Sequence, residues 1–209
     1  MSDPAYDRGV FLNCPFDITY QPLFHAIVFT VKGAGLEPRS ALELDDAVEN
    51  RLGKILRMIG ECRYGIHDLS RTELNIASLL PRFNMPLELG LFLGCRVFGA
   101  GAQTQKRGLI LDREPYRYQK FISDLAGHDV HAHAGHPRRA MAEVRSWLCT
   151  ARPDLSIPGG TELWRRYTAF QQDLPAICSA IRVRAEELTF PEFVAAIGAW
   201  WEVQIFIPS

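Results

Sequence analysis

The sequence predicts an α/β protein: a five-stranded parallel sheet with helices on both faces, followed by a helical appendage. Three observations carry this. Short apolar runs rich in strand formers alternate with helix-period segments through the first 150 or so residues, with short joints between them. A Pro/Gly-containing stretch, Arg152 to Gly160, then breaks the pattern. Beyond it every apolar repeat is helical. The organisation expected is a sheet domain over residues 1–151 and a helical extension over 160–209.

The first strand is Gly9 to Cys14, ended by the turn Cys14-Pro-Phe-Asp17. A helix follows, with Thr19 as its expected cap and Pro22 in its first turn. Leu23, Phe24, Ile27, Val28 and Val31 recur at helical spacing, and Gly33 and Gly35 stop it. Leu36 to Leu42 returns to an extended segment, with Pro38 holding Glu37 out of helix, and Arg39 lies near its end. Glu49 to Glu61 is amphipathic, with Leu52, Ile55, Leu56 and Ile59 on one face and Arg51, Lys54 and Arg57 on another.

Tyr64 to Leu69 is the third strand and carries His67-Asp68 at its end. Adjacent strand residues point to opposite faces, so only one of these two is expected in a pocket, and Asp68 is the choice. Ser70 to Asn84 reads as a long loop. The next helix begins around Asn84 to Pro86 and puts Glu88 in its first turn. Arg107 to Asp112 and Asp129 to His133 are the last two strands, separated by a helical segment over Pro115 to Leu125. His136 to Thr150 is amphipathic on Met141, Val144, Trp147 and Leu148. In the extension, Glu162 to Arg184 is helical with a kink or break expected at Pro175. Pro191 to Val203 is a final helix. Trp200, Trp201, Ile205, Phe206 and Ile207 are too apolar for a solvated terminus and are expected to be buried, within the chain or across a dimer.

Composition narrows the function classes. The net charge of -1 supplies no field for nucleic acid or an acidic membrane surface. No apolar run is long enough for a membrane helix. The five cysteines are scattered without zinc spacing, so free thiols in a cytoplasmic setting are expected. His128, His131, His133 and His136 crowd together, but no cysteine or carboxylate completes a recognised metal set. Neither metal nor cofactor is expected.

Ligands of parallel sheets bind beyond the carboxyl ends of the strands. Asn13, Arg39, Asp68 and Asp112 fall at such ends, and Glu88 opens the helix after the third strand. Glu88 is flanked by Leu87, Leu89 and Leu91, so partial desolvation should raise its pKa. Asp68 and Glu88 can divide labour at a sugar: one holds a hydroxyl while the other stabilises or attacks an oxocarbenium-like carbon. Asn84 is either the helix cap or a face-mate of Glu88 four residues on. The expected lining runs through Asn13, Cys14, Pro15, Phe16 and Tyr20, then Arg39, Ser70, Arg71 and Asn84. Phe16 and Tyr20 offer flat surface for a base. Arg39 and Arg71 either bind phosphate or pair with Glu43, Asp45 and Glu73.

Phe11-Leu-Asn-Cys-Pro-Phe16, Arg39, His67-Asp68-Leu-Ser70, Met85-Pro-Leu-Glu88-Leu-Gly90 and Leu93-Gly94 together resemble the nucleoside 2-deoxyribosyltransferase-like group, related in fold to TIR domains. The resemblance covers residues 9–134. It implies a flavodoxin-like sheet and cleavage of an N-glycosidic bond, with Glu88 in the catalytic position and Asp68 near the sugar. Asn84 and Pro86 stand where those transferases carry Asp-Gly, and the helices after Gly160 lie outside the group's core. TIR-type bacterial defence proteins, which consume NAD or make signalling nucleotides from it, are the nearest functional analogy. The expected activity is hydrolysis of NAD, as substrate, or of a related nucleotide. The alternatives are a nucleoside deoxyribosyltransferase and a nucleotide-sensing module without turnover. A homo-oligomer or a protein partner would engage the C-terminal helices.

Overall fold

The computed structural model describes residues 3–43, 48–73 and 82–205. Five parallel strands form one sheet: β1 (Gly9–Asn13), β2 (Glu37–Arg39), β3 (Tyr64–Asp68), β4 (Arg107–Asp112) and β5 (Val130–Ala132). Their order, β2-β1-β3-β4-β5, is that of flavodoxin-like doubly wound sheets. β1 and β3 are buried along their whole length, which is why Val10-Phe-Leu12 and Tyr64-Gly-Ile66 show no polar alternation before the polar strand ends.

The strand pleat sends successive side chains into two cores. Val10, Leu12, Tyr64, Ile66, Leu109 and Leu111 face one side. There they meet α2 (Gln21–Gly33), α5 (Pro137–Ala151), α6 (Gly160–Ala180) and α7 (Phe190–Ile205). Phe11 and Ile110 face the other side, against α3 (Arg51–Glu61) and α4 (Asn84–Phe98). The C-terminal helices therefore share the core of α2 and α5. Trp200 and Trp201 are buried within the chain, their rings 5.9 and 5.3 Å from Phe29. Of the other apolar tail residues, the Ile205 side chain, Phe206 and Ile207 lie outside the described residues.

Several local expectations are corrected. A short helix, α1 (Pro4–Arg8), precedes β1, capped by Asp3 and tied down by the Tyr6 hydroxyl, which donates to Ala102 O at 2.8 Å. Thr19 does not cap α2. Its hydroxyl donates to Asp17, whose carboxylate also accepts from Tyr20 N, so the acid shapes the turn. α3 begins at Arg51 rather than Glu49, because Asn50 supplies the cap through Gly53 N at 2.8 Å. α4 begins at Asn84 with Phe83 in the cap position, so Asn84 is no cap and Glu88 starts the second turn rather than sitting in the first.

Residues 115–125 form two 3-10 turns, Arg117–Lys120 and Ser123–Leu125, in place of a helix. Tyr116 enters with φ of 58°, and the Arg117 side chain is pulled inward to Asp112. α6 runs unbroken through Pro175, because Phe170 and Cys178 are buried on either side of it and Trp200 Nε1 donates to Asp173 at 2.8 Å. Among the described residues no helix is long and apolar enough to cross a membrane.

Candidate functional site

The ends of β1, β3, β4 and β5 converge on a buried polar cluster. Asp68, the last residue of β3, is fully buried. Its Oδ1 accepts from Ser70 N at 2.8 Å, the Tyr20 hydroxyl donates to Oδ2, and His133 Nε2 stands 2.9 Å from the same oxygen. Burial works to raise the Asp68 pKa, but the His133 contact and the hydrogen bonds from Ser70 and Tyr20 outweigh it and hold the carboxyl below its ordinary range. The expectation that Asp68 opens onto a pocket is therefore corrected: every donor it meets comes from the chain itself.

Neighbouring side chains are locked in the same way. Asn13 Nδ2 donates to Met85 O at 2.8 Å and lies 3.1 Å from His67 Nδ1, which pins the end of β1 to the start of α4. Burial lowers His67 to about 3, so its imidazole is neutral and Nδ1 can accept the amide proton. Its ring packs edge-on against Phe11 and Phe92. His67 and Asp68 are thus both buried, on opposite faces of β3. Cys14 is buried, and burial with the nearby Asp68 charge pushes its thiol well up, so it is no nucleophile at neutral pH. At the end of β4, Asp112 accepts from Arg117 Nε at 2.8 Å and from Arg113 N at 2.6 Å. Arg117 also donates to Leu69 O, joining the β3 and β4 ends.

Outside this cluster lies an open cavity of about 380 Å³, lined by Pro15, Phe16, Asp17, Arg51, Arg71, Arg82, Asn84 and Met85. It sits where the β1–α2 loop meets the N-terminal ends of α3 and α4, the positive ends of two helix dipoles. Arg71 donates to the Thr19 hydroxyl at 2.6 Å and is 3.6 Å from Asp17; Arg82 is 3.5 Å from the same acid. Arg51 makes no ion pair among the described residues. Among the described lining residues one acid thus faces three guanidinium groups, a net positive set.

Glu88 lies one turn along α4 from Asn84, on the same face. It is 5% exposed, and burial raises its pKa to about 7 against the opposing pull of Arg51. No hydrogen bond reaches its carboxylate among the described residues. Of the expected site residues, Pro15, Phe16, Arg71 and Asn84 line this cavity. Cys14, Ser70 and Tyr20 are buried behind it, and Tyr20 presents no flat surface because its ring is 1% exposed. Arg39 is not brought to the cavity. Its Nε donates to Glu43 at 2.7 Å and its Nη2 reaches Glu61 at 3.3 Å, so the ion-pair alternative holds there. Glu73 pairs with Arg113 rather than Arg71, and Asp45 lies outside the described residues.

Sequence reasoning missed Arg82, Asp17 and His133 as site residues, and placed Arg51 only on a helix face. A cation at the first residue of a helix opposes the dipole, and that mismatch is the signal that could have singled out Arg51. The histidine cluster disperses: His131 Nδ1 is 2.7 Å from Glu143, His128 contacts Leu125 O, and His133 turns inward to Asp68. Among the described residues no group of three or more histidine, cysteine or carboxylate side chains is placed to hold a metal. Compared with known proteins, the chain matches no family model, no curated protein and no solved structure.

Proposed function

We propose that the protein cleaves the N-glycosidic bond of NAD or a related nucleotide, with the phosphates held by Arg51, Arg71 and Arg82 and the reacting sugar presented to Glu88. The observation that carries this reading is the cluster of guanidinium groups in the cavity beyond β1 and β3, with the buried Glu88 carboxyl one turn along α4 from Asn84 of its wall and without a donor among the described residues. Guanidinium groups suit the fork geometry of phosphate oxygens, and the α3 and α4 dipoles add to the field. In the reaction the bond from the anomeric carbon to the nicotinamide nitrogen breaks. The electron pair leaves with the ring and neutralises its positive charge. Ionised Glu88 stabilises the oxocarbenium-like carbon, or bonds to it, until water adds and releases a proton. Asp68 acts through position: its contacts with Tyr20, Ser70 and His133 fix the strand ends behind the cavity.

The test is incubation of the pure protein with NAD and chromatography of the products. Free nicotinamide supports the reading. The engagement of both Asp68 oxygens within the chain favours a second reading, a nucleotide sensor without turnover, because the acid at the β3 end is not free to accept from the sugar. NAD that binds and stays intact selects that reading.

A further inference from the structure

A second cavity, of about 310 Å³, adjoins the arginine cavity and shares Pro15 and Phe16 with it. Its wall is half aromatic, and Ile18, Leu42 and Leu188 extend the apolar lining. Phe24 and His25 come from α2, and Phe190 and Phe193 come from α7, a helix outside the part of the chain that resembles the transferase group. Phe16 meets Phe24 edge-to-face at 5.7 Å, Phe24 lies 5.8 Å from Phe190, and His25 stacks on Phe193 at 4.1 Å with the rings 28° apart. Burial lowers His25 to about 4, so the imidazole is neutral at physiological pH and offers one donor and one acceptor. Among the described residues neither of its ring nitrogens makes a hydrogen bond. An apolar, partly aromatic cleft with one uncharged polar pair, and with Phe16 as its exposed ring, suits a planar heterocycle and offers nothing to a phosphate.

The order of these features narrows the ligand. The aromatic cleft meets the arginine cavity at Phe16, and the arginine cavity meets the Glu88 helix at Asn84 and Met85. A mononucleotide with its base at Glu88 leaves the cleft empty. One with its base in the cleft carries its glycosidic bond away from Glu88. A dinucleotide fills all three places in sequence: ring, pyrophosphate, second sugar. Resting on the functional reading above, we propose that the cleft between α2 and α7 binds the distal heteroaromatic ring of a dinucleotide whose pyrophosphate lies on Arg51, Arg71 and Arg82.

The experiment is calorimetric titration of the full chain with adenosine diphosphate and with inorganic pyrophosphate, which share two phosphates and differ by the nucleoside. Gln21 is an exposed residue on the cleft wall, so Gln21→Trp should fill the cleft without entering the core. His25→Leu removes the polar pair by a second route, and circular dichroism confirms that each variant is folded. Adenosine diphosphate should bind wild type at least tenfold more tightly than pyrophosphate. Both variants should lower it to the pyrophosphate level and leave pyrophosphate itself unchanged. Equal binding of the two probes by wild type, or an adenosine advantage that survives in both folded variants, overturns the cleft as a ring site while the arginine reading stands. Failure of both probes to bind wild type overturns the two together.

Discussion

Glu88→Gln keeps the side chain's size and removes its titration. The carboxyl goes from an ordinary 4.5 to about 7 on folding, because burial penalises the ionised form. The sign follows from proton binding. Between 4.5 and 7 the unfolded chain has released the proton that the folded chain still holds. Folding stability contributed by this group is therefore complete below about pH 4.5, falls as pH rises through that window, and is flat above it. At roughly 1.4 kcal/mol per pKa unit, and allowing for water at the cavity mouth, the cost at pH 8 is about 2–3 kcal/mol. Glutamine does not pass through that transition. The variant should melt roughly 5–10 °C above wild type at pH 8, and within about 2–3 °C of it at pH 5. Thermal melts followed by circular dichroism in matched buffers make the comparison, and the difference between the two proteins isolates this one group. A gain of equal size at both pH values, or a loss at pH 8, would refute the buried-carboxyl argument.

Three further outcomes follow from the same geometry. NAD should protect the protein against heat and adenosine should not; protection should shrink in Arg71→Ala, in Arg51→Ala and at high salt, yet persist in Arg39→Ala, whose guanidinium is held by Glu43 and Glu61. Equal protection by nucleoside and nucleotide would defeat the phosphate argument. Tyr20→Phe leaves Asp68 Oδ2 with His133 as its remaining partner and should cost about 1–3 kcal/mol in urea unfolding at pH 7. Because the Asp68 pKa is depressed, that loss should fade as pH falls through its folded value, and an unchanged midpoint at pH 7 would count against the buried cluster. Gly33→Ala would place a methyl 2.5 Å from the Trp201 ring and should destabilise by about 1–3 kcal/mol. Gly60→Ala, with open space around it inside α3, should stabilise slightly, and similar unfolding midpoints for the two would contradict the α2–α7 packing.

The sheet was legible because β1 and β3 are buried on both faces and so carry Val10-Phe-Leu12 and Tyr64-Gly-Ile66 without polar alternation, and because a glycine of positive φ, Gly35, marks the end of the first long helix. Strand ends followed directly, which placed Asn13, Asp68 and Asp112 together. Side-chain partnerships did not follow. His133 reaches Asp68 across β4, and nothing in the local sequence links them. Arg82 and Arg51 enter the cavity from a loop and a helix start, where charge carries no periodic signal. Arg39 was misplaced because a strand-end position weighed more than its i,i+4 partner Glu43, which wins in the folded chain. α4 starts at Asn84, the early edge of the expected Asn84 to Pro86 range, and that placement puts Glu88 in the second turn rather than the first.

The measurement that bears most directly on the account is nicotinamide release from NAD by wild type and by Glu88→Gln, with both proteins shown to be folded and to bind NAD. Wild type should release nicotinamide steadily and the variant at least about a hundredfold more slowly, alongside the variant's higher melting temperature at pH 8. Release by the variant at the wild-type rate, or NAD left intact by a wild type that binds it, would contradict the account.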